Sequence, residues 1–410
     1  MAIPDSSEQT GRAGDGAPDG PRTVRTRVFL KDVLLCSLGA YGGPEAHTSV
    51  FLDQMVVKGG YLRERDLIEL IALCSILPGP ISTQVIIAIG HKVGGPWLAL
   101  WTMLVWSLPV LAAMTALSFI YPLIAAPGAE FDAFRYIGPM AVGFIIVAAV
   151  RIGRKVVDGA PTALLLVLSA IATYLVRSPW VFPVVLLAGG GCTLFLDREP
   201  GMWDRVSISP PWRYLVLFLA FALGLLALAS VFRLQMVQLF ESFYRYGYLV
   251  FGGGQVVVPV MHTELVHVRQ AMTDQEFLTG YGLVQGLPGP MFSFAAYAGG
   301  MAARSGSVLR QLLGAVSGGI GIFLPGLLLI YFVYPVWEQL KQIRAIRIAL
   351  RGINAVAGGL IAIAAVILFE ASGVQADNLI VMALAAGLLA SRKVPAPVIV
   401  GAALAAGFVL

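Results

Sequence analysis

Two titratable side chains stand two residues apart beside a helix-breaking run. Glu45 and His47 follow Gly42-Gly43-Pro44 in the stretch YGGPEAH. An imidazole titrates near neutral pH, and a carboxyl stripped of water is pushed toward the same range, so the pair has the chemistry of a proton relay. The alternative is that Glu45 complements the positive end of the helix it opens while His47 sits at an interface. Donors suited to an oxyanion stand nearby in the chain. Ser82, Thr83 and Gln84 follow Leu77-Pro78-Gly79-Pro80. A second set repeats the arrangement: Gly252-Gly253-Gly254-Gln255, then Gln285 before and Ser293 after Pro288-Gly289-Pro290.

These residues need elements that hold them in place, and the elements are broken helices. Pro78 and Pro80 each remove a backbone donor and push the preceding residue out of the α region. Gly79 accepts whatever dihedral is left. The helix stops and restarts at Pro80, since proline suits a first helical position. The restarted helix aims the free N–H groups of Ile81, Ser82 and Thr83, and its positive end, at one place. Met291, Phe292 and Ser293 do the same after Pro290, and Gly42-Gly43-Pro44 and Gly252-Gly253-Gly254 break two more helices. Helix N-termini bind anions, so the four breaks predict a carrier for a small oxyanion. The alternative, that these glycines and prolines only kink helices for packing, is natural for one break and strained for four at duplicated spacing.

Composition says where such breaks lie. Hydrophobic residues are 58% of the chain and charged ones 12%, about half the share of an ordinary soluble domain. Mostly apolar runs recur, long enough to cross a bilayer of about 30 Å. About thirteen candidate spans fall near residues 28–57, 67–91, 97–124, 136–150, 161–176, 180–196, 213–232, 238–262, 277–303, 311–336, 346–369, 378–391 and 394–410. The chain reads as an all-α polytopic membrane protein. If the spans alternate, most of the 28 basic residues fall on the side of the N-terminus, which predicts a cytoplasmic N-terminus in the inner (plasma) membrane. The net charge of +5 is met by loop arginines and calls for no nucleic acid.

Residues 41–92 align with 251–302 without a gap, at an offset of 210 (251 minus 41). Identities cluster at the paired glycines and the LPGP tetrapeptides, which marks a duplication. The expected organisation is a disordered cytoplasmic tail (1–27), a first repeat (28–196), a linker with one connecting helix (197–237) and a second repeat (238–410). An odd connecting span turns the second repeat over, the inverted plan of many secondary transporters.

Other chemistries find little support. Cys36, Cys74 and Cys192 are isolated and read as small buried hydrophobes rather than metal ligands. His262 and His267 lack the H-E-x-x-H order, and five residues apart they are expected to diverge on an α-helix, so no metal site is predicted. Arg151, Arg154, Lys155, Arg344, Arg347 and Arg351 could meet an oxyanion, though loop placement that sets topology is the plainer account. No nucleophile–base constellation suggests an enzyme, and a channel is the remaining alternative.

The motifs resemble those of the chromate ion transporter family in its long-chain, two-domain form. Its "FGGP-x-AH" element is present as Tyr41 to His47, "GGGQVV-P" as Gly252 to Pro259, and "Q-x-x-PGP-x-F" as Gln285 to Phe292. Tyr41 replaces the usual Phe, Ser75 replaces the first glutamine, and Ile81-Ser82 replaces the bulky aromatic. The resemblance implies export of chromate, with sulfate as a competing analogue, driven by the proton-motive force. It implies chromate or sulfate, protons and the lipid bilayer as partners, leaves a homodimer open, and calls for no cofactor.

Overall fold

The structure is a computed structural model that describes residues 25–42, 44–124, 133–197, 209–232, 234–251 and 254–409. Every regular element among them is helical. The first half contains α1 (Thr26–Gly39), α2 (Pro44–Phe51), α3 (Glu64–Ile76), α4 (Ile81–Ile124), α5 (Ile137–Val156), α6 (Ala160–Val176) and α7 (Val181–Leu196). Next comes α8 (Trp212–Phe232), followed by α9 (Gln235–Tyr248), α10 (Val257–His262), α11 (Asp274–Val284), α12 (Phe294–Ala302) and α13 (Val308–Val333). The chain ends with α14 (Trp337–Leu340), α15 (Arg344–Ser372), α16 (Ala376–Ala390) and α17 (Ala396–Val409).

Among the described residues five helical stretches are long and apolar enough to cross a membrane: Ile81–Ile124, Ile137–Val156, Trp212–Phe232, Val308–Leu340 and Arg344–Ser372. The other candidate spans are shorter or divided. A helix of 14 to 17 residues rises about 21–26 Å, less than the roughly 30 Å of a bilayer core. Within α4, Gly94 and Gly95 leave helical geometry (Gly95 φ 73°), and Pro96 begins the next helical stretch. α8 buries little beyond Ala229, which leaves its apolar surface to lipid as a helix joining the halves.

The duplication extends to details that the alignment does not show. A π-helical turn follows α2 (Leu52–Lys58), and another follows α10 (Thr263–Val268). α11 begins with a full capping box on Thr273 and Glu276, and α3 keeps one half of it, the Arg63 main-chain N–H donating to Asp66 Oδ2 (3.1 Å). Contacts between the halves are reciprocal. α5 packs on α16 while its counterpart α15 packs on α6, and α5 and α15 meet each other. Reciprocity of this kind is the mark of a two-fold relation between like parts.

Glycines allow the close crossings. A Cβ on Gly143 of α5 would lie 2.6 Å from the Met382 carbonyl of α16, and one on Gly359 of α15 would lie 2.2 Å from the Leu166 carbonyl of α6. Small residues at these places let backbones touch where no hydrophobic force drives helices together in lipid.

Candidate functional site

The four breaks meet in crossed pairs. The Gly79 N–H donates to the carbonyl of Val250 at 2.8 Å, and the Gly289 N–H donates to the carbonyl of Ala40 at 2.7 Å. Both partners obey the offset of 210, since 40 and 79 become 250 and 289. Each PGP turn therefore closes on the chain just ahead of the other repeat's glycine run. Gly42, Gly79 and Gly289 have φ of 86°, 133° and 99°, which only glycine adopts without strain. Leu77, before the first proline, is extended (φ −79°, ψ 145°), as proline requires of its predecessor.

The helices restart one residue later than the sequence suggests. α4 begins at Ile81, and Pro290 is a non-helical N-cap (φ −72°, ψ 121°) ahead of Met291. The crossed hydrogen bond holds each glycine in place, so the proline after it completes the turn instead of opening the helix. The first main-chain amides with partners inside the restarted helices are Gln84 N, on Pro80 O (2.9 Å), and Ser293 N, on Pro290 O (3.0 Å). Gly79, Pro80, Gly289 and Pro290 are all buried.

Around the first break the side chains form one connected set. Trp106 of α4 is fully buried. Its Nε1–H donates to Thr83 Oγ1 (3.2 Å), its carbonyl accepts from Ser37 Oγ (2.6 Å), and its ring meets His47 edge-on at 5.5 Å. His47 is buried against Trp106 and Phe51, and no hydrogen bond of good geometry reaches either ring nitrogen. Gln84, expected to donate to a ligand, spends its Nε2 on Pro78 O (2.8 Å), bridging its own break, and its Oε1 has no partner. Ser82 is buried beside Thr83.

In the second repeat, Ser293 Oγ and Gln285 Nε2 are buried donors without partners. Such atoms are rare in native proteins, and each asks for a reason. Pro288 is half-buried within the tetrapeptide, and Gln255 lies in a 3₁₀ turn entered through Gly254. Gly43, Gly252 and Gly253 lie outside the described residues, as do the side chains of Pro44 and Glu45 and most of the tail. Cavities lined by described residues adjoin the bundle. One of about 380 Å³ is bounded by Arg135, Gln275, Asp377 and Asn378, and an apolar one of about 330 Å³ runs from Leu77 to Trp337 and Leu350.

The sequence reading missed a buried ionic network in the second repeat. Arg245 of α9 pairs with Glu241 (2.7 Å) and Glu264 (2.9 Å), Glu264 pairs with Arg269 (2.8 Å), and Ser242 donates to Glu264 (2.8 Å). The first repeat keeps a neutral-to-acid version at the equivalent positions, where Gln54 donates to Asp32 (3.0 Å). The i, i+4 spacing of Glu241 and Arg245 inside an apolar span was the available signal. Two of the basic residues at the span ends hold structure together. Arg151 donates to Leu389 O (2.8 Å), and Arg351 pairs with Asp158 (2.6 Å) and Asp197 (2.8 Å). Arg351 holds the Asp158 carboxyl below its ordinary range, with help from the Thr162 hydroxyl. Cys36 and Cys74 are free and buried, and Cys192 is free and partly so.

Two repeats of broken helices, joined by a lipid-facing helix and crossed at their interruptions, define a multi-pass helical membrane protein of the transporter kind. The chain belongs to the chromate transporter family, whose sequence model matches residues 28–194 and 237–408. It is 26% identical to the chromate transport protein of Pseudomonas aeruginosa over 86% of this chain and 82% of that one. It is 26% identical to a probable chromate transport protein of Synechococcus elongatus over 94% of each chain. It is also 24% identical to the chromate transport protein of Cupriavidus metallidurans over 95% of this chain and 94% of that one. No solved structure matches.

Proposed function

We propose that this protein is a secondary transporter that exports chromate from the cytoplasm, driven by the proton-motive force, and binds the anion where the four breaks converge. The observation that carries the reading is the reciprocal pair of bonds, Gly79 to Val250 and Gly289 to Ala40. Each bond ties a buried PGP turn, ahead of a helix N-terminus, to the other repeat, and positive helix ends favour an anion. The names of the relatives supply chromate.

On this reading Gly42, Gly43, Pro44, Pro78, Gly79, Pro80, Gly252, Gly253, Gly254, Pro288, Gly289 and Pro290 shape the backbone. Ser293 Oγ and Gln285 Nε2 supply donors, and Ser82, Thr83, Gln84 and Gln255 line the same region. Proton coupling falls to Glu45 and His47, with His47 set between Trp106 and the Ala40 end of the break. The two repeats lie inverted in the inner membrane with the N-terminus inside, and alternation between faces rocks one repeat on the other. Sulfate, another tetrahedral dianion, competes.

Chromate accumulation in cells expressing the chain tests this, with and without an uncoupler. The proposal expects lower accumulation that the uncoupler restores. Accumulation equal to that of cells lacking the chain refutes it, and lowering that survives the uncoupler refutes the coupling.

A further inference from the structure

We propose that His262, His267 and Asp274 form a binding site for a divalent transition metal of the zinc type. On an α-helix, histidines five residues apart point in different directions. Here the turn after His262 is π-helical (Thr263–Val268), and its i to i+5 pattern brings His267 back over His262. The two rings meet edge-on with centroids 4.9 Å apart and planes at 88°. The loop after the π turn then returns Asp274, in the first turn of α11, to the same spot. His262 Nε2 and Asp274 Oδ1 lie 2.7 Å apart. One ligand atom from each of the three residues lies within 4.8 Å of the other two.

Two imidazoles and a carboxylate suit zinc, cobalt or nickel better than magnesium or calcium, which want oxygen ligands. Tetrahedral zinc, with bonds of about 2.0–2.2 Å, holds its ligand atoms roughly 3.3–3.5 Å apart. No pair here is wider than 4.8 Å, so the widest must close by at most about 1.3–1.5 Å. The His262–Asp274 pair, now at hydrogen-bond distance (2.7 Å), opens by about 0.6–0.8 Å. His267 and Asp274, the less buried side chains, make these adjustments. The burial pattern fits. His262 is fully buried and braced edge-on by Phe277 at 5.0 Å, so one ligand is rigid. His267 is exposed and Asp274 partly so, which leaves an entry path and room for a water as fourth ligand. Arg177 lies within electrostatic reach of His267 and is itself paired with Glu370 (3.7 Å).

The site belongs to the second repeat alone. At the offset of 210 the first repeat has Leu52, Val57 and Glu64, which offer one ligand in place of three. The duplicated breaks therefore do not demand these residues. A bound ion would tie the π-helical end of α10 to the start of α11, the element that carries Gln285 to the second break.

The test uses the full chain in detergent, with its affinity tag removed and metal stripped by chelator, titrated with Zn²⁺ by calorimetry and with Co²⁺ by visible absorption. One ion should bind per chain. His267→Ala and Asp274→Asn should each weaken binding at least about tenfold, while His267→Ala leaves the thermal midpoint in chelator unchanged. If Asp274→Asn does not fold, the His267→Ala titration decides alone. Absence of saturable binding, or wild-type affinity in His267→Ala, overturns the site.

Discussion

Replacing Gly79 by alanine tests the crossed-break architecture at its tightest point. The φ of 133° is strained for any residue with a Cβ, at about 1–3 kcal/mol. The new Cβ would also lie 2.5 Å from Gln84 Nε2, so that side chain must leave the Pro78 carbonyl it holds at 2.8 Å. A hydrogen bond lost in a buried setting costs about 1 kcal/mol. The sum is about 2–4 kcal/mol, or roughly 30- to 1000-fold in a folding equilibrium at 1.4 kcal/mol per decade. At the equivalent Gly289 the φ is 99° and a Cβ would meet Val110 Cγ1 at 3.2 Å and Ser37 Oγ at 3.3 Å, which neighbours yield to with small shifts. Gly79→Ala should therefore be the more damaging of the two. Thermal unfolding of the purified protein in detergent measures both, and a cycle with Gln84→Ala isolates the collision. The double variant should be less destabilised than the sum of the singles by about 1 kcal/mol. A Gly79→Ala protein as stable as wild type, or a strictly additive cycle, would show that the turn is not built this way.

Other outcomes follow from the same geometry. Arg245→Met leaves Glu241 buried without its cation, while Glu264 keeps Arg269, and should cost about 3–5 kcal/mol in the same unfolding assay. Trp106→Phe removes the Nε1–H donor to Thr83 and should cost about 1 kcal/mol while keeping the ring against His47. Asp158 has a lowered pKa because Arg351 and Thr162 hydrogen-bond its charged form. Its contribution is full above the ordinary aspartate value of 3.8 and fades as pH falls below it, so a melting series from pH 6 to about pH 3 should lose a small acid-side step in Asp158→Asn. The step is small because the pair is half exposed.

The interruptions could be read from the chain because glycine and proline act locally. The two prolines and the glycine of LPGP together stop a helix, where lone Pro109 and Pro325 stay inside α4 and α13, and the offset of 210 showed that the stop was duplicated. Their partners could not be read. Nothing in Gly289 names Ala40 as its acceptor, since that bond depends on how two repeats fold across each other. Gln84 looked free to meet a ligand because its acceptor, Pro78 O, becomes available only when the turn bends back. The i, i+4 spacing of Glu241 and Arg245 carried a signal that was passed over, while Glu264 joins them only after the glycine break ahead of α10 returns the chain. His262 and His267 were expected to diverge because an α-helical period was applied, and in the π-helical turn their rings meet instead.

Flux into proteoliposomes tests the central claim most directly. The purified chain would be reconstituted and chromate movement followed under an imposed pH gradient, with sulfate as competitor and Ser293→Ala beside wild type. The account predicts saturable chromate flux that follows the gradient, is inhibited by sulfate, and has a raised half-saturation concentration in Ser293→Ala. Flux no greater than in protein-free liposomes, or flux that neither saturates nor responds to the gradient, would contradict it.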